Sequence, residues 1–136
     1  MPLTGLTGTD STNEFMMTRI GGEEGIFVNA TSTSSAATAN GAFGIITTES
    51  LNTAATASYT MVLTNNFITA ADMVQVSVAN GSNSVGAPSV GSITPGTGTC
   101  SIVITNTSVT TALSGTLKIA WQVIKAATVP IPVLSS

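Results

Sequence analysis

The sequence predicts an all-β chain: a small antiparallel β-sandwich, jelly-roll-like, with an extended N-terminal arm. Three observations carry this expectation. From Phe43 onward, short runs rich in Val, Ile and Thr alternate with turn residues, as in sandwiches and barrels. Within those runs apolar side chains recur at every second position, the period that lines one face of a strand. The polarity comes from hydroxyls, with 40 Ser and Thr among 136 residues and only 7% charged, so no helix could build a charged outer face.

Taken in order, residues 1–42 read as an arm and linker. Five of the nine charges (Asp10, Glu14, Arg19, Glu23 and Glu24) surround Phe15-Met16-Met17 and the Gly21-Gly22 pair. Asn29 to Asn40 is a run of small residues with too little apolar surface to order itself, and reads as a linker or surface loop. Phe43–Thr48 is the first strand. Ser58–Thr64 is the second, with Tyr59, Met61 and Leu63 on one face, and Asn65-Asn66 ends it. Thr69 to Asp72 reads as one helical turn or a tight loop, with Asp72 capping it.

Met73 to Ala79 is the third strand, with Val74, Val76 and Val78 inward and Gln75 and Ser77 outward. Asn80 to Ala87 is a polar loop. Val90 to Thr94 is a short strand, joined through Pro95-Gly96-Thr97-Gly98 to Thr99–Thr105 as a hairpin. After the loop Asn106 to Gly115, Thr116 to Lys125 is the last of six strands, with Leu117, Ile119, Trp121 and Val123 on one face. The sandwich therefore spans 43–125. Residues 126–136, with Pro130 and Pro132, read as an extended tail that does not pair centrally.

Composition also excludes functions. Leu, Ile, Val and Phe make 34 of 136 residues, enough for a core, and the net charge of -3 is too small to hold the chain open. With no histidine there is no Ser-His-Asp triad, no Cys-His dyad and no imidazole metal ligand. Three basic residues do not neutralise a phosphate backbone, so no nucleic-acid partner is expected. The single cysteine, Cys100, forms no internal disulfide and lies in an apolar run, where a buried inert thiol is expected.

The first eight residues carry no secretory pattern, and the longest apolar stretch, Leu117 to Ala127, is broken by Lys118, Gln122 and Lys125. A chain made in the cytoplasm, with no membrane partner, is the expectation. Three Asn-x-Ser/Thr triplets, at Asn29, Asn80 and Asn106, are what so hydroxyl-rich a sequence produces by chance.

Other motifs favour structure over chemistry. Adjacent carboxylates such as Glu23-Glu24 point opposite ways in an extended chain and do not share a site. Gly96 and Gly98 form a G-x-G without the lysine or helix of a phosphate loop. Tyr59 and Trp121 alternate with aliphatic residues, which favours core packing over sugar stacking. The sequence thus predicts no enzyme, no catalytic residue, no metal and no cofactor.

Several strands are apolar on both faces: Val62 opposes Met61 and Leu63, Val103 opposes Ile102 and Ile104, and Ile124 opposes the Trp121 face. A lone sandwich buries one face per sheet, so Val62, Val103 and Ile124 are candidates for an interface between copies. Burying about 1,000 Å² of apolar surface would contribute roughly 25 kcal/mol before entropy costs.

The segments Ile45–Thr48, Leu51–Ala55, Tyr59–Asn65, Val76–Gly81, Thr94–Gly98 and Leu113–Ile119 together resemble small β-sandwich virion proteins of tailed phages, those of cyanophages in particular. The resemblance spans Phe43 to Lys125 and lies in texture and motif order. It implies a capsid cement (decoration) protein on the virion surface, homotrimeric, with the major capsid protein as partner. The arm would then supply the capsid contacts, with Phe15, Met16, Met17, Ile20, Ile26 and Phe27 as anchors. The alternative is a head or tail fibre component binding a host receptor or carbohydrate through the loops Asn80–Ala87 and Asn106–Gly115.

Overall fold

A computed structural model describes residues 27–126, which form eight strands and no helix. They are β1 (Phe27–Thr31), β2 (Ala36–Thr38), β3 (Phe43–Thr47), β4 (Ser58–Thr64), β5 (Met73–Asn80), β6 (Pro88–Gly96), β7 (Thr99–Asn106) and β8 (Leu117–Ile124). Two four-stranded sheets pack face to face, one in the order β1-β3-β8-β5 and the other β2-β4-β7-β6. The all-β sandwich is as expected, and the expected strands all form, with small changes at their ends.

Period-two patterning builds the core. On the first sheet the inward set is Ile46, Leu117, Ile119, Trp121, Val123 and Val74, with Val76 and Val78 partly buried beside them. On the second it is Tyr59, Met61, Leu63, Cys100, Ile102 and Ile104. Tyr59 and Trp121 are therefore core residues, and Cys100 is a buried free thiol whose pKa burial pushes up. Leu51, Ile68 and Leu113 close the core from the loops.

The arm differs from expectation over its last sixteen residues, and the boundary expected at residue 42 falls inside the sandwich. Strand β1 pairs parallel with β3, and β2 pairs parallel with β4, so each sheet is mixed and not wholly antiparallel. The run of small residues read as a linker is an ordered crossover between the sheets, in which Ser32, Ala37 and Ala39 are at most 5% exposed while residues beside them face solvent. Small side chains in a sequence look like a lack of packing. They are what lets the chain pass close over the edge of a finished core.

Two edges use glycine and proline as edge strands commonly do. Strand β6 carries Pro88 and Pro95 on the outside of its sheet and shifts register between Val90 and Ile93, which blunts that edge. Its hairpin to β7 turns through Thr97-Gly98, with Gly98 at φ 77°.

Gly44 sets the other edge. It pairs with Val28 on one side and Trp121 on the other. A Cβ at this position would lie 2.0 Å from the Val28 carbonyl oxygen and 3.0 Å from the Trp121 ring. Only a residue without a side chain lets β1 lie against β3 while the indole fills the space beneath. Gly44→Ala is therefore expected to lower unfolding free energy by about 1–3 kcal/mol, measured by urea denaturation. Unchanged stability would show that β1 is not seated against β3 in this way.

Candidate functional site

Among the described residues four side chains are charged: Glu49, Asp72, Lys118 and Lys125. They do not converge, and among the described residues no group of three His, Cys, Asp or Glu side chains could hold a metal. Glu49 and Asp72 each serve as a fastener.

Glu49 lies between β3 and β4 and holds the tight turn at Ser34-Ser35. Its carboxylate accepts bonds from the Ser32 hydroxyl, from the Tyr59 hydroxyl (3.0 Å) and from the Ser35 N–H (2.9 Å), and its own N–H donates to Ser32 Oγ (3.1 Å). Ser34 and Ser35 both have positive φ, 52° and 64°, a conformation two-residue turns usually fill with Asn or Gly. The carboxylate over-determines that strained backbone. Partial burial raises the Glu49 pKa, but its donors outweigh this and hold it below the usual range. A carboxylate so satisfied is a poor general base for Ser32, and the cluster holds no imidazole or amine that could serve instead.

Asp72 caps its loop as expected and also holds the end of β8. Its side chain is 2% exposed, and it accepts from Thr69 N–H (2.8 Å), Ala126 N–H (2.9 Å) and Lys125 Nζ (2.6 Å). Burial raises its pKa, but the Lys125 ammonium and the two N–H donors outweigh that and keep it far below the carboxylate range. Lys125 also sits 4.5 Å from the centre of the Phe67 ring and donates to the Phe67 carbonyl.

The loops proposed for receptor contact spend their amides internally. Asn106 Nδ2 donates to the carbonyls of Thr53, Ala54 and Thr111, and its Oδ1 accepts from Ala87 and Ser108 N–H. Asn83 bonds Asn80, Val85 and Ser114 in the same manner. Asn65 clamps Gly41 through both its amide atoms. All three are at most 2% exposed. In the sequence these residues look like turn ends or ligand-facing polar groups. Nothing in the local pattern distinguishes a buried asparagine from an exposed one.

The most distinctive surface is the outer face of the β1-β3-β8-β5 sheet. Register places Phe27 beside Phe43, Phe43 beside Gln122, and Gln122 beside Gln75, with Ile45, Ala120 and Ser77 forming the next row. These side chains line a groove of about 750 Å³, with Gly44 and Trp121 in its floor. The rings of Phe27 and Phe43 are 5.8 Å apart and tilted by 55°. The Trp121 indole N–H is buried and finds no hydrogen-bond partner among the described residues. Three of the exposed large apolar side chains stand at this end of the same face: Phe27 (46% exposed), Met73 (66%) and Ile124 (42%).

Comparison with protein families, with curated proteins and with solved structures finds no match to this chain. The groove is thus read from its own residues alone.

The predicted interface residues do not form one patch. Val62 and Val103 are diagonal neighbours on the outer face of the β2-β4-β7-β6 sheet, among Ser58, Thr60, Thr64, Ser101 and Thr105. Ile124 lies on the outer face of the opposite sheet, beside Met73. A strand apolar on both sides reveals an unburied face, but not which face of the molecule it belongs to. Of the predicted anchors, Phe27 starts β1 at the rim of the groove. Phe15, Met16, Met17, Ile20 and Ile26 lie outside the described residues, as do Glu23 and Glu24.

Two measurements check these assignments. The only tyrosine, Tyr59, has its pKa raised to about 12 by burial and by the Glu49 carboxylate. Its ultraviolet titration is expected near that value and not near 10. Because the folded state holds this proton more tightly, the stability it supports is complete below pH 10 and falls as pH rises toward the folded value. A midpoint near 10 in folded protein would dissolve the cluster. Asp72 has the opposite sign: its contribution is complete above the unfolded pKa of about 3.9 and is lost on acidification. Asp72→Asn is expected to cost about 1–3 kcal/mol at pH 7 and to flatten the acid limb of the stability curve.

Proposed function

We propose that this chain is a structural virion protein, a capsid cement or decoration protein that binds and stabilises a phage head as a homo-oligomer. One observation carries the reading. The apolar side chains left exposed on the first sheet gather at the end of the sandwich where both flanking segments join it, Phe27 entering β1 and Ile124 leaving β8. A solitary domain gains nothing from such a patch, whereas a protein that spreads segments over a larger surface starts from one.

Charge is divided to match. Glu49 and Asp72 balance Lys118 and Lys125, so residues 27–126 are formally neutral, and the net charge of -3 resides in the stretch 10–24. A neutral hydroxyl-covered sandwich with chemically distinct extensions suits a spacer that holds by multivalency. Several modest contacts on one oligomer act at high effective concentration and together resist release. The internal use of Asn83 and Asn106 weighs against the fibre-tip alternative, since the amides that would bond a sugar already hold the loops.

Because β1 and β2 belong to the sandwich, the truncation that tests the reading must stop before them. Removal of residues 1–22 is expected to leave a folded protein that no longer co-sediments with heads of the encoding phage, whereas the full chain co-sediments at hundreds of copies per head. Equal binding by both proteins, or a dozen copies confined to the tail, would overturn the assignment.

A further inference from the structure

We infer that the outer edge of β5 is a self-association edge, pairing antiparallel with β5 of a second copy about a twofold axis at Val76. The inference goes beyond the reading above, since it stands on the strand edge alone and needs no capsid.

The hydrogen-bond ladder shows which groups of β5 are unspent. Gly81 N–H donates to the Thr116 carbonyl (2.9 Å) and continues the register in which Asn80 faces Leu117. Antiparallel strands bond through alternate residues, so Met73, Gln75, Ser77 and Ala79 spend their backbone groups on β8. The far side of β8 agrees. Thr48 N–H donates to the Leu117 carbonyl and Val123 N–H to the Ala42 carbonyl, so Leu117, Ile119, Trp121 and Val123 serve β3. The N–H and C=O of Val74, Val76 and Val78 therefore point away from the sheet. They find no hydrogen-bond partner among the described residues.

Such an edge is normally guarded. Natural sheets end in very short strands, in lysine or proline, or in a bulge that breaks the pairing. In the second sheet β6 has Pro88, Pro95 and a register shift, and β2 is 3 residues long. Strand β5 runs for 8 residues in unbroken register, with neither proline nor charge.

A copy of itself is the partner this strand fits. With Val76 opposite Val76 of the second copy, Val74 meets Val78, and every unspent group on both chains gains a partner. The outer row across the join then reads Gln122, Gln75, the second copy's Ser77 and its Ala120, so no like charges oppose each other. The next row sets Met73, 66% exposed in the single chain, against the second copy's Ala79. On the inner side Val76 and Val78, only partly buried at the margin of the core, gain valine neighbours from the other chain. The two sheets join into one continuous sheet. A twofold pairing of this kind uses both edges and closes, so its product is a dimer and not the trimer that the resemblance implies.

Sedimentation of the full chain from micromolar to millimolar concentration reads the association, and amide hydrogen exchange locates it. A reversible dimer is expected. Exchange at Val74, Val76 and Val78 should slow in step with the dimer fraction, while Gln75 and Ser77, already bonded to β8, stay protected throughout. Gln75→Lys with Ser77→Lys places lysine opposite lysine across the join and should weaken the dimer by about tenfold. Gln75→Glu with Ser77→Glu should weaken it likewise, and mixing the two variants should restore association, which a misfolded strand could not do. A monomer at millimolar concentration would overturn the inference, as would a trimer. Protection of the three valine amides at every concentration would place another part of the same chain on the edge and also refute it. Co-sedimentation with heads is a separate measurement, so loss of the pairing leaves the capsid assignment to its own test.

Discussion

The absence of a side chain at residue 44 governs the whole grooved face of the molecule. The Val28 carbonyl stands where a Cβ would be, and the Trp121 ring lies close on the other side. Because residue 44 fills neither space, β1 adds in parallel to the edge of an otherwise antiparallel three-strand unit. That addition places Phe27 against Phe43, forms the apolar wall of the groove, and delivers the preceding segment to its rim. A bulkier residue would leave the core largely intact but dismantle this wall. Packing in the interior and the shape of the outer surface are thus coupled through one backbone position.

A chain this poor in charge organises its loops by other means. Asn65, Asn83 and Asn106 each satisfy several backbone groups that would otherwise be buried and unpaired, and such groups are costly to strand. Glu49 and Asp72 act similarly at opposite ends of the sandwich: one holds a positive-φ turn beside β1 and β2, the other ties the end of β8 to the loop before β5. Their perturbed ionisation follows from being well bonded, as structural carboxylates are. Perturbed groups cluster at active sites when they converge on a cavity, and these two do not.

The two outer faces divide the surface into different materials. One presents hydroxyls of Ser58, Thr60, Thr64, Ser101 and Thr105 around two valines; the other presents aromatic and aliphatic side chains around a groove. Hydroxyl-covered strands are well hydrated and unselective, while the groove offers desolvation and shape. Any specific association of the described domain is therefore best sought on the second face, at the end where the flanking segments emerge.

The class of fold, the six principal strands and most of the core are legible in the order of the residues. Alternation along Ser58–Thr64, Met73–Ala79 and Thr116–Lys125 is a local property, and solvent enforces it wherever one face of a sheet is buried. The residue order also marks Cys100 as an interior residue, and without histidine the chain forms no Ser-His-Asp triad. The rest follows from long-range contacts. Ala37 and Ser32 look like linker residues until a core edge is present for them to cross, and Asn106 looks exposed until three carbonyls surround its amide. Val62 and Ile124 are equivalent in the one-dimensional pattern, yet they lie on opposite sides of the molecule. Which strands become neighbours is settled by contacts between residues far apart in the chain, and period-two patterning records the face of a strand without recording its sheet.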